Sequence, residues 1–195
     1  MSGKALVSGC DDRVEQVAAA LGRGGAEVIS VGDPAELLKV AAGLDPDSLS
    51  YYIQLPVSVD VAGSTLVGRV QTFLEKGLLA RFAAADAVLP ALREDASVVL
   101  VSGTTAIDGG AMPDDRAARF ALLNVLAHAI RAEKAPGVVR VRILGGDTAA
   151  SAVAAEALRT ERPRLRAMAH LQAREAEMSY ADWRIEVMGL ATVQV

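Results

Sequence analysis

The sequence is poor in cysteine, histidine and aromatic residues. One cysteine among 195 residues excludes a disulfide framework. One cysteine with two histidines far apart in the chain supplies no ligand set for structural zinc, so no metal site is expected. Aromatic residues make up 4% against 52% apolar overall, so the core must be built from Ala, Val, Leu and Ile, which favours helices packed on a parallel sheet. Clustered positive charge is missing as well: the net charge is −4 and the arginines are scattered through helical stretches, which removes the electrostatic footprint of a nucleic-acid binder. No apolar run approaches the roughly 20 residues that cross a bilayer. The opening MSGKALVSG has no signal-peptide apolar region or cleavage site. The expectation is a cytoplasmic protein without membrane or nucleic-acid partners. Repeats and low-complexity tracts are absent, and a chain of this length buries roughly 70% of its unfolded surface, so one domain over 1–195 is expected.

What is present is alternation. Strand-like runs fall at Ala5–Ser8, Glu27–Val31, Tyr51–Val57, Ser97–Ser102, Val138–Leu144 and, more weakly patterned, Ile185–Val195. Helical patterns lie between them at Asp12–Leu21, Pro34–Ala42, Ser64–Arg93, Asp114–Lys134 and, in one or two pieces, Thr148–Met178. That order predicts a doubly wound parallel sheet with right-handed crossovers in a three-layer α/β/α, Rossmann-like fold. Asp33-Pro34-Ala35-Glu36 combines an N-cap acceptor, proline at the first helical position and glutamate three residues after the cap, so it starts a helix. Pro136-Gly137 stops one, and Gly145-Gly146 ends the strand that follows.

Three stretches carry a family likeness. "KALVSG…AEVISVGD" has the form of a first βαβ unit. "GLLARFAAADAVLPALREDASVVLVSG" has the form of a long interface helix with Phe82 and a Leu89-Pro90 corner, followed by a strand. "DDRAARFALLNVLAHAIRAEKAPGVVRVRIL" has the form of a catalytic helix and the next strand. Together they resemble the short-chain dehydrogenase/reductase family over most of residues 4–147. The resemblance implies a one-domain Rossmann fold, NAD(P) and hydride transfer. Leu44–Ser50 is too short for that family's third strand and helix, so an edge strand is expected to be missing.

The functional residues that the resemblance implies are mostly replaced. The turn TGxxxGxG falls on Ser8 to Glu15, where Gly9 remains, Asp12 stands within the turn, and Arg13 and Glu15 replace the second and third glycines. The NAG segment falls on Gln54-Leu55-Pro56. The asparagine, serine, tyrosine and lysine of the catalytic set fall on Gly77, Gly103, Asp115 and Arg119. No tyrosine occurs between Tyr52 and Tyr180, so no shift of register supplies the phenol.

The replacements have chemical consequences. A pyrophosphate rests on helix N-terminal amides that glycines leave approachable. A carboxylate such as Asp11 or Asp12 some 4–6 Å away costs about 3–4 kcal/mol at an effective dielectric near 20. Hydride transfer to a carbonyl needs an acid for the oxygen, worth roughly 10²- to 10⁴-fold. An exposed Asp115 is ionised at neutral pH unless burial or Asp114 raises its pKa, and Arg119 cannot give up a proton. No cofactor is expected; NAD(P) bound by altered residues is the alternative reading.

Asp11, Asp12, Asp33, Asp60, Asp108, Asp114 and Asp147 follow strands or precede helices at one sheet edge. Read as helix caps they need no cation-binding role. Cys10 reads as structural, His170 as solvated, and His128 with Asn124 as a polar contact or a pocket wall. Ser102 has no His and Asp partners for a nucleophilic triad. Helices 74–93 and 114–134 carry apolar residues on more than one face, among them Leu78, Phe82 and Leu89 on the first and Phe120, Leu123, Ala127 and Ile130 on the second. One face covers the sheet and the remainder needs a partner. In the resembling family these helices form the main subunit interface. The reading is a non-catalytic structural or regulatory subunit that pairs with itself or with an active relative, with a small-molecule sensor as a further alternative.

Overall fold

The computed structural model describes residues 3–9, 12–56, 65–103, 113–135 and 138–159. All lie in the first of two compact units, Met1–Arg159. The expectation of one domain over 1–195, the run Ile185–Val195 and most of the helix expected at Thr148–Met178 concern residues outside them.

Five parallel strands form the sheet: β1 (Lys4–Ser8), β2 (Glu27–Val31), β3 (Leu49–Gln54), β4 (Leu92–Val101) and β5 (Arg140–Leu144). Their order is β2-β1-β3-β4-β5. That order is what remains of 3-2-1-4-5-6 when the third strand is deleted, so β2 forms one edge among the described residues, as the short Leu44–Ser50 connection predicts. Side-chain alternation sends the two faces of β4 into separate cores. Val98 and Leu100 pack with Leu6, Leu37, Val88, Leu123 and Ile130. Val99 and Val101 pack with Val7, Val17, Leu21, Ile53 and Val153.

The helices are α1 (Val14–Arg23), α2 (Pro34–Ala42), α3 (Leu66–Thr72), α4 (Ala80–Val88), α5 (Pro113–Glu133) and α6 (Ala150–Leu158). Asp33 caps α2 as its sequence predicts, accepting the Ala35 amide at 2.9 Å. Two other aspartates do not cap. α1 begins after Arg13, whose own backbone is helical and whose side chain makes no cap bond, so Asp12 lies one residue too early. α6 begins after Ala149, two residues past Asp147.

The expected helix Ser64–Arg93 is corrected in two ways. A π-helical stretch, Phe73–Leu79, separates α3 from α4. Its wider turn inserts extra residues and rotates the buried stripe, which along α4 is Arg81, Ala85 and Val88. Pro90 then confines Leu89–Ala91 to a 3₁₀ turn, and the strand starts at Leu92 instead of Ser97. Strand β3 ends at Gln54, short of Val57, because Pro56 has no amide to donate.

Candidate functional site

Parallel strands bring their carboxyl ends to one edge, and ligands of open α/β sheets bind there. At this edge the chain assembles a buried polar cluster from three strands and one helix. Ser8 closes β1, Tyr52 and Gln54 end β3, Val101 ends β4, and α4 contributes Arg81 from its first turn. Ser8, Gln54 and Arg81 are 2–7% exposed and Tyr52 is fully buried.

Arg81 spans the gap. Its Nε donates to Gln54 Oε1 at 2.9 Å, and its Nη2 donates to the Val101 carbonyl at 2.9 Å and the Gln54 carbonyl at 3.3 Å. Gln54 Nε2 donates back to the Arg81 carbonyl at 2.9 Å and to the Tyr52 hydroxyl at 3.2 Å. That hydroxyl shares a further bond of 3.2 Å with Ser8 Oγ. All of these acceptors are neutral. Burial lowers the Arg81 pKa to about 10, with Tyr52 acting against the shift. Burial also raises the Tyr52 phenol above its ordinary value, opposed by the bonds from Ser8 and Gln54 and by the Arg81 charge.

The first βα turn lies beside this cluster. Gly9 has φ +138°, and a Cβ there would meet Leu55 Cβ at 2.8 Å and its carbonyl oxygen at 2.9 Å, so this glycine is required by strain and by packing. Arg13 Nη1 donates to the Thr148 carbonyl at 2.9 Å, tying the turn to the segment between β5 and α6. Glu15 accepts from Ser30 Oγ at 3.3 Å. Asp12 is exposed. On the far side of the edge, a Cβ on Gly103 would stand 2.5 Å from Pro56 Cβ.

Gly77 is buried, whereas the side chains of Asp115, Arg119, Phe120 and Leu78 lie outside the described residues. Of the residues expected at an interface, Leu123, Ala127 and Ile130 are 1–3% exposed in the chain's own core. Phe82 and Leu89 are half-buried against the same core. This corrects the face. The outward surface of α5 carries Val125 (55% exposed), and the α3–α4 segment turns out Val67 (66%), Leu74 (41%) and Leu79 (59%). His128 is exposed on α5.

Sequence reading missed Arg81. It stands in an alanine-rich helix, and the only signal was its four-residue spacing from Gly77 and Ala85, a face that an uninterrupted α-helical count does not single out as buried.

No protein-family model matches the chain and no curated protein matches its sequence. Solved structures do match. A small-chain dehydrogenase aligns with TM-score 0.58 at 17% identity, over 79% of this chain and 86% of that one. A short chain dehydrogenase/reductase family oxidoreductase from Aeromonas hydrophila aligns with TM-score 0.53 at 13% identity, over 83% and 93%. A small-chain dehydrogenase in complex with NADPH aligns with TM-score 0.49 at 15% identity, over 91% and 83%. The chain has the fold of the short-chain dehydrogenases/reductases. No helix among the described residues is long and apolar enough to cross a membrane.

The cavity at the ends of β1, β2 and β3, lined by Ser8, Gly9, Asp33, Gln54, Arg81 and Ala84, has a volume of about 20 Å³. That is room for one or two water-sized groups beside the Arg81 guanidinium.

Proposed function

We propose that this chain is a non-catalytic relative of the short-chain dehydrogenases/reductases that serves as a structural or regulatory subunit, assembling with itself or with an active relative. The observation that carries this reading is the contact of Gly103 with Pro56. By resemblance Gly103 stands where the family has its catalytic serine, and a Cβ there would lie 2.5 Å from Pro56 Cβ, closer than carbon atoms pack. The hydroxyl that would hold a carbonyl substrate has therefore been replaced by close packing. The Arg81–Gln54 clasp and the Arg13–Thr148 bond fill the same edge with the chain's own groups.

A subunit role draws support from the exposed Val67, Leu74, Leu79 and Val125, apolar side chains on the two helical segments used for assembly in the resembling family. Light scattering on the full chain, with and without lysate from its native host, tests the assembly. A stable self-assembly or co-purification with one dehydrogenase is expected, and a monomer without partners overturns the reading. Titration with NADH and NADPH tests the loss of chemistry. Micromolar, saturable binding with turnover of a carbonyl substrate would restore the enzyme reading.

A further inference from the structure

We propose that the cavity beside Arg81 is a binding site for a short monocarboxylate, whose anionic head accepts hydrogen bonds from Arg81 Nη1. The inference concerns this chain's own residues and does not depend on whether the protein is catalytic. Nε and Nη2 of Arg81 are committed to Gln54 and Val101, whereas Nη1 makes no hydrogen bond to a described residue. Its two N–H groups belong to a side chain only 7% exposed that lines the cavity. Among the described residues every acceptor the guanidinium reaches is an amide or backbone carbonyl oxygen, none of them a carboxylate. A buried cation held only by neutral acceptors has part of its desolvation cost uncompensated, and a planar anion matches its fork better than a point acceptor does.

The walls define the class of anion. Val31, Pro34, Leu37, Ala80 and Ala84 are apolar, and a volume of about 20 Å³ admits a small head with its tail toward the opening. Asp33 stands on the same wall with Oδ1 already accepting the Ala35 amide. Its charge opposes a phosphate dianion much more than a singly charged carboxylate. Acetate or propionate fits these limits, and dinucleotide phosphates do not.

The test uses the full chain at constant ionic strength, with acetate, propionate, acetamide, chloride and inorganic phosphate as probes. Thermal unfolding and titration calorimetry are the readouts. Acetate and propionate are expected to raise the melting temperature saturably, with affinity on the order of millimolar for so few atoms, while acetamide, chloride and phosphate leave it unchanged. Arg81→Met should abolish the effect. Ala84→Leu, which fills the cavity without touching the guanidinium's partners, should abolish it in a protein that still folds. An equal response to chloride, a response retained in Ala84→Leu, or no heat with acetate overturns the site. These readouts report carboxylate binding alone, whereas the proposed function is read from assembly and from turnover of a carbonyl substrate with NADH or NADPH, so the two fail separately.

Discussion

Arg81 Nε and Gln54 Oε1 stand 2.9 Å apart, and Gln54 Nε2 returns a bond of 2.9 Å to the Arg81 carbonyl. This reciprocal clasp joins α4 to β3. Each residue satisfies the other's buried polar atoms, so removing one leaves more than a missing contact. Gln54→Ala strands a buried guanidinium and is expected to destabilise the fold by about 2–3 kcal/mol. Arg81→Met keeps the stem's packing and removes the charge, so its cost should be smaller. The double variant should be more stable than the summed losses predict, by about 1 kcal/mol or more. Urea unfolding of the four proteins measures this, and strict additivity would mean that the clasp is not a unit.

A serine introduced at position 103 tests the close packing of Gly103 on Pro56. Gly103→Ser places Cβ against Pro56 Cβ at 2.5 Å and Cγ at 3.1 Å. It should destabilise by about 1–3 kcal/mol through overpacking without conferring dehydrogenase activity. Adding Pro56→Gly removes the obstructing ring and should return part of that stability once its own backbone cost is subtracted through the single variant. Gly103→Ser as stable as the parent would show that the close contact yields easily.

Much of this architecture was legible in the sequence, and the limits have physical causes. Strand and helix order followed from apolar runs separated by helical patterns, and Asp33 announced α2 because a cap, a proline and a following glutamate act within four residues. The π-helical stretch at Phe73–Leu79 was illegible, since its pattern looks α-helical and only tertiary contacts reveal the extra residues. The stripe expected beyond it was misplaced in consequence, Arg81 went unnoticed, and Leu92 was read as helix. On α5 two apolar faces compete for the sheet, and sequence does not say which wins. Leu123, Ala127 and Ile130 turn inward, leaving Val125 outside. The make-up of the first βα turn was readable from residue identities, whereas the Arg13–Thr148 tie joins residues 135 positions apart.

The outward apolar residues make the assembly testable by single charges. Leu79 and Val125 are 59% and 55% exposed, so Leu79→Glu and Val125→Glu should each change monomer stability by no more than about 0.5 kcal/mol. In an assembly that buries these faces, each should weaken association at least tenfold, since a carboxylate is desolvated there without a partner. Leu123→Glu is a contrast: it belongs to the core and should prevent folding. Sedimentation profiles unchanged by the two surface variants would move the interface elsewhere.

Tyr52 makes a prediction about alkaline pH. Its folded pKa is raised above 10.0 by burial, so in the range just above that value the unfolded chain has lost a proton that the folded chain keeps. Stability from this group is therefore complete below pH 10 and declines as pH rises toward the folded pKa. Arg81 acts in the opposite sense: its pKa falls to about 10 in the fold, so above that pH the folded state sheds a proton that the unfolded chain retains, and stability rises. Tyr52→Phe removes the declining contribution and keeps the rising one. At neutral pH it should cost about 1–2 kcal/mol, because Ser8 Oγ and Gln54 Nε2 each lose a buried partner. Above pH 10 the gap between variant and parent should narrow, and in the parent one phenol of the three tyrosines should ionise only as the protein unfolds. Urea midpoints and phenolate absorbance followed across that range check both statements, and a gap that stays constant or widens would mean that the Tyr52 hydroxyl is not the buried, fully bonded group described.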